Sequence, residues 1–286
     1  MNLTAFFRDP PPAYAFELSE AGIAIADMAK APQTEFRPLA PGAISVSPLR
    51  DNVVMPDELA NTVRAAAPVN GKRRDMALIL PDYCARVAVL DFDSFPTDHK
   101  EQLSLVRFRL KKSVPFDVES AAVGYYAQPS AGGKVDVVTA VAPVEIITRY
   151  EAPFRAAGMN PGFVTTSSLA MLELVESRQV TVVAKLSGRT LTLMVLKDGG
   201  LRLIRCLEVG DVAADLYPTF AYAEDQLGAK AELLLLCGFG PETGERQQQF
   251  QAELGIPVQA LQSRLGNPGE ANAGLFGYMQ AAMSRN

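Results

Sequence analysis

Short apolar runs broken by turn residues dominate the first third of the chain. Ala13–Leu18 is apolar, Glu20-Ala21-Gly22 is turn-like, and Ile23, Ile25 and Met28 continue among smaller residues, which predicts a β-hairpin. Further extended segments are expected near Glu35–Leu39 and Ala43–Val46. Pro56-Asp57-Glu58 opens a helix, because proline is pre-set for the first turn and acids suit the positive end of the dipole. Leu59 and Val63 form its inner face, and Pro68-Val69-Asn70-Gly71 is expected to stop it.

The middle of the chain has its own pattern. Met76–Leu80 and Arg86–Phe92 read as strands, and Asp98–Lys112 reads as a helix with Leu103, Val106 and Leu110 on one face. Asp98 with Glu101 three residues on resembles a capping box, and Val114-Pro115 ends the segment. Ala121–Ala127 and Val135–Val141 are two more strands joined by a Ser-Ala-Gly-Gly turn. Val144, Ile147, Tyr150 and Phe154 mark a helix closed by Gly158, with Pro153 predicting a kink or an early end.

The last third restarts with strands at Val180–Leu186, Thr190–Leu196 and Leu201–Leu207, the last two joined at Asp198-Gly199-Gly200. Helices are expected over 211–227 and 242–254, around a continuous apolar strand Glu232–Leu236. Such a strand suits a sheet covered on both faces. Val258 begins a short strand and 271–283 a terminal helix. The pattern is that of an α/β protein with helices against mixed sheets.

Composition narrows the function. The chain has 286 residues, 48% apolar and 21% charged, which is a folding composition of one or two domains. Its net charge of −5 argues against nucleic acid as the main partner. No apolar run approaches the roughly 18–20 residues of a membrane span, and the first residues lack the pattern of a signal peptide. A membrane association is therefore expected through partners. His99 is the single histidine, at a helix start, so a zinc site or a Ser-His-Asp triad has little to draw on. Cys84, Cys206 and Cys237 show no metal or redox spacing and read as reduced structural thiols, as in the cytoplasm. No phosphate-binding fingerprint of the Walker or dinucleotide type occurs.

Two stretches echo each other, Phe16–Ile25 and Ala184–Leu193. Each runs from an apolar strand through charged-Leu-Ser and a small turn into alternating apolar residues. The ordered set of features resembles the actin-like ATPases (ribonuclease H-like fold), and most of all the PilM-like proteins of type IV pilus assembly. The stretches that carry the likeness are Leu103–Gln128, Val138–Leu172, Leu193–Gly210 and Leu233–Pro241. The resemblance implies a first lobe over 1–178, with a small α+β subdomain inserted at about 76–158, and a second lobe over 179–286.

In that family each lobe begins with a strand-DxG-strand hairpin, whose bare backbone approaches phosphate and whose acid organises Mg²⁺ through water. The slots here read Glu17-Leu18-Ser19 and Lys185-Leu186-Ser187. A hydroxymethyl group replaces each glycine, and a cation replaces one acid. At an effective dielectric near 20 a unit charge pair at 4 Å is worth ~4 kcal/mol, so this reversal changes the chemistry of a phosphate site. Pairing of Lys185 with Glu17 across the cleft is expected. Gly188, Gly238 and Gly240 match family glycines in a phosphate turn and an adenosine-side turn, and Arg189 stands beside the former.

The resemblance thus implies a vestigial nucleotide site with no catalytic group, no resident metal and no required cofactor. ATP with Mg²⁺ is the disfavoured alternative. It implies a cytoplasmic scaffold at the inner membrane, binding the N-terminal tail of a PilN-like membrane protein and other pilus assembly proteins. Tyr125 and Tyr126, which alternate across a strand, are candidate contacts. The flank Arg107, Arg109, Lys111 and Lys112 is a further candidate contact for acidic partners or lipid headgroups. A true actin-like ATPase is the second reading. A GspL-like component of type II secretion is the third; that family usually continues into a membrane helix, whereas this sequence ends at Ser-Arg-Asn.

Overall fold

Three sheets organise the described residues, and each follows from the period of its strands. A computed structural model describes residues 11–28, 33–67, 74–130 and 133–284. In chain order the elements are β1 (Tyr14–Leu18), β2 (Gly22–Asp27), β3 (Gln33–Pro38), α1 (Pro56–Ala66), β4 (Arg74–Leu80), β5 (Arg86–Phe92) and α2 (His99–Leu110). There follow β6 (Ala121–Pro129), β7 (Val135–Pro143), α3 (Val144–Ala156), β8 (Met159–Thr166), α4 (Ser167–Met171) and β9 (Thr181–Ser187). The remainder is β10 (Thr190–Lys197), β11 (Gly200–Glu208), α5 (Val212–Leu227), β12 (Leu233–Cys237), α6 (Thr243–Leu254), β13 (Val258–Ala260) and α7 (Ala273–Met283).

The first five-stranded sheet has the order β3-β2-β1-β4-β8 and the second β11-β10-β9-β12-β13. In both, the hairpins are antiparallel and the central strand pairs in parallel with the fourth, β1 with β4 and β9 with β12. The sequence echo is therefore an echo of topology. Period two then sorts the side chains. In β1, Phe16 and Leu18 join a core with Leu59 and Val63 of α1 and with Tyr150 and Phe154 of α3. Ala15 lies on the other face, in a core that spans both lobes and includes Val183 of β9 and Leu275 of α7. A third core lies on the outer face of the second sheet, where Val182 and Ala184 meet Leu216 of α5 and Phe250 of α6.

Several sequence expectations need adjusting. The small subdomain is the sheet β5-β7-β6 with α2 across it. Met76–Leu80 instead forms the interior of the first sheet, and α3 packs on that lobe. The insertion thus spans about 86–143, inside the expected 76–158. The terminal helix α7 belongs to the 179–286 segment yet packs on α4 and β1 of the first lobe. Ala43–Val46 forms only an isolated bridge, Ile44 to Val53. Pro153 does not end α3, which runs on to Ala156, because the proline sits in its last turn. The expected stop at Pro68–Gly71 lies outside the described residues. Asp98 caps α2 as expected, accepting from the amides of Lys100 and Glu101.

Candidate functional site

The carboxyl ends of parallel strands are where open α/β sheets gather chemistry, and here β1, β4 and β9 end at one seam between the lobes. Pleating places Glu17 on the Ala15 face of β1 and Lys185 on the Val183 face of β9, so both point into the seam. Both are about 1% exposed. The Lys185 ammonium donates to Asp82 Oδ2 at 2.7 Å and to Ser167 Oγ at 2.7 Å. Asp82 follows β4 in a short 3₁₀ turn, and it also accepts from Ser168 N and Ser168 Oγ, each at 2.6 Å, and from Thr192 Oγ1 at 3.3 Å. Glu17 accepts from Ser167 Oγ through Oε1, and from the Leu275 amide through Oε2 at 2.6 Å.

The expected direct Lys185–Glu17 pair is thus replaced. Lys185 pairs with Asp82 and reaches Glu17 through the Ser167 hydroxyl. Sequence reasoning passed over Asp82, Ser167 and Ser168. Burial opposes a charged Lys185, yet the attraction of Asp82 and Glu17 and the Asp82 hydrogen bond outweigh it and raise its pKa above the ordinary lysine value. Burial raises the Glu17 carboxyl, against the lowering pull of Lys185 and Ser167. Burial likewise pushes Cys237 and Cys206 up to about 12, which keeps these thiols protonated.

The two turns beside this network are filled from within. Ser19 Oγ bonds the carbonyl and amide of Gly22 at 3.1 Å, closing the first turn on itself. In the second turn, Ser187 Oγ donates to the Glu270 carbonyl at 2.8 Å and the Gly188 amide donates to the Glu270 carboxylate at 3.2 Å. Gly238 owes its identity to packing: φ is +81° and a Cβ there would lie 1.9 Å from the Leu186 carbonyl oxygen. Gly240 sits in an open turn, with nothing within 4 Å of an added Cβ.

These residues do not fit hydrated Mg²⁺ with ATP. An ammonium stands where an acid is wanted, each oxygen of Glu17 and Asp82 already accepts a hydrogen bond, and a carboxylate holds the second turn.

The tyrosine pair separates as alternation predicts. Tyr125 lies under α2, stacked on His99 and donating to Gln102 Oε1 at 2.9 Å. Tyr126 faces the other way, into a cavity of about 1140 Å³ between the inserted sheet and the second lobe. Its floor is a polar clasp. Gln128 engages both the amide and the carbonyl of Leu201 in β11, and Asp136 pairs with Arg202 at 2.5 Å. Of the basic flank, Arg107 turns inward to the Val118 and Ala121 carbonyls, while Arg109 and Lys111 pair with Asp91 and Glu119.

No family model matches the sequence, and no curated protein matches it. Solved structures do. The chain is similar to one from a PilM–PilN type IV pilus biogenesis complex, with TM-score 0.70 and 16% identity over 96% of this chain and 97% of that one. It is also similar to a Bacteroides thetaiotaomicron protein of actin-like ATPase fold and unknown function, with TM-score 0.62 and 14% identity over 99% and 98%. The cytoplasmic domain of EpsL, an inner membrane component of the Vibrio cholerae type II secretion system, matches with TM-score 0.53 and 12% identity over 95% and 94%. The chain has the actin-like ATPase fold.

Proposed function

We propose that this chain is a noncatalytic cytoplasmic scaffold of type IV pilus assembly, held at the inner membrane by binding the N-terminal tail of a PilN-like protein. The observation that carries the reading is the self-satisfied seam. At the two positions where a nucleotide-using relative would turn acids toward Mg²⁺, this chain carries Glu17 and the Lys185 ammonium, and both are consumed by neighbouring side chains. The fold likeness to a chain of the PilM–PilN complex supports the choice of partner. No helix among the described residues is long and apolar enough to cross a membrane, so membrane attachment in this reading comes from the partner.

The tail lies in the cavity beneath Tyr126, between the inserted sheet and the second lobe. A fluorescent peptide copying the cytoplasmic tail of the same organism's PilN-like protein tests this by anisotropy. Wild type is expected to bind it, and Tyr126→Ala to weaken binding at least about tenfold, or ~1.4 kcal/mol. Failure of the tail to bind wild type refutes the partner, and undiminished binding by Tyr126→Ala refutes the groove. ATP hydrolysis above background in the purified protein refutes the noncatalytic reading.

A further inference from the structure

We propose that the ammonium of Lys185 is a built-in cation that holds the two lobes in one fixed relation without nucleotide or metal, with Glu270 as the matching internal anion. This deepens the noncatalytic reading and is independent of which partner binds. The geometry supports it from three directions. First, Lys185 comes from the second lobe, while Asp82, Ser167 and Glu17 all come from the first, so each bond of the network crosses the seam or braces a group that does. Second, the same network reaches α7, because Glu17 accepts the Leu275 amide near the start of that helix. An ionised acid is favoured there by the helix dipole. Third, the loop leading into α7 supplies Glu270, whose carboxylate accepts from the Gly188 amide. A divalent ion shared by two lobes would leave with its ligand. A lysine side chain cannot, so the closed arrangement is permanent at cellular pH.

Native-state amide exchange on the full chain tests this at Ser168 and Leu275, whose N–H groups donate to Asp82 and Glu17. Wild type is expected to protect both amides, with rates unchanged by millimolar ATP and Mg²⁺. Lys185→Met is expected to speed both at least about tenfold more than it speeds Val183 inside β9. Asp82→Asn, which keeps the shape of the site, is expected to act in the same direction and serves if Lys185→Met does not fold. Slower exchange at Gly188, or a raised Tm, on adding ATP and Mg²⁺ to wild type overturns the proposal. So does a foldable variant whose Ser168 and Leu275 rates stay in step with Val183. A failed tail-binding assay with these results intact removes the proposed partner and leaves the internal cation standing.

Discussion

Replacing Lys185 by methionine isolates the charge at the seam, because methionine keeps most of the buried stem. The variant loses two hydrogen bonds of 2.7 Å and leaves Asp82, whose side chain is 4% exposed, facing Glu17 without a cation. Asp82 keeps the Ser168 amide and hydroxyl and Thr192, which limits the damage without neutralising it. Removing one partner of a buried ion pair costs about 3–5 kcal/mol, a large share of the roughly 5–15 kcal/mol that holds a domain folded. The assay is equilibrium urea unfolding near neutral pH, followed by circular dichroism, on wild type, Lys185→Met, Asp82→Asn and the double variant. The raised pKa of Lys185 means that its contribution is complete below the ordinary lysine value of about 10.4 and fades only as pH rises through the higher folded value. Neutral buffers therefore read it in full. The double variant should cost less than the sum of the singles by about 1–3 kcal/mol. A single-variant loss within about 0.5 kcal/mol, the size of an ordinary surface substitution, refutes the reasoning, and so does strict additivity.

Glu17→Gln gives the opposite sign. Because the carboxyl is raised in the folded state, the native protein binds more protons than the unfolded chain above the ordinary value of about 4.3, and stability falls as pH rises through that window. The glutamine variant should flatten this slope and lie within about 1 kcal/mol of wild type at neutral pH; urea midpoints across mildly acidic to neutral pH check it, and an unchanged slope speaks against it. Gly238→Ala should cost about 2–4 kcal/mol, from left-handed strain and a Cβ pressed on the Leu186 carbonyl. A melting temperature equal to wild type would contradict that. Gln128→Ala should cost about 1–3 kcal/mol by leaving the Leu201 amide and carbonyl unpaired, and faster amide exchange at Leu201 reports it directly.

Periodicity made most strands and helices legible, and the repeat of charged-Leu-Ser pointed correctly to two lobes of one topology. What it concealed has physical causes. β8 begins at Met159 and runs through Asn160-Pro161-Gly162, which reads as a turn. It survives as an edge strand with a register shift opposite Met76 and Ala77, a position where proline is tolerated. Asp82 sits in Pro-Asp-Tyr-Cys and reads as a loop residue. The signal that would have found it is Lys185 itself: a lysine inside an apolar strand requires an acid, and the end of β4, an apolar strand of the other sheet, supplies it across the seam. Ser167 and Ser168 were indistinguishable from surface serines, since hydroxyl donors carry no periodicity. Tyr126 was separable from Tyr125 only as one of two opposite faces; which face opened onto a cavity depended on how the inserted sheet leaned on the second lobe.

The side-chain amide of Gln128 stands in for a peptide group against β11, an edge strand of the second sheet, while β5 lies alongside it. The inserted subdomain is consequently a guard as well as the proposed receptor. Excising it would bare a run of unsatisfied strand backbone and invite copies of the chain to join sheet to sheet. Point changes at Tyr126, which keep that rim covered, are the sounder way to probe what this region recognises.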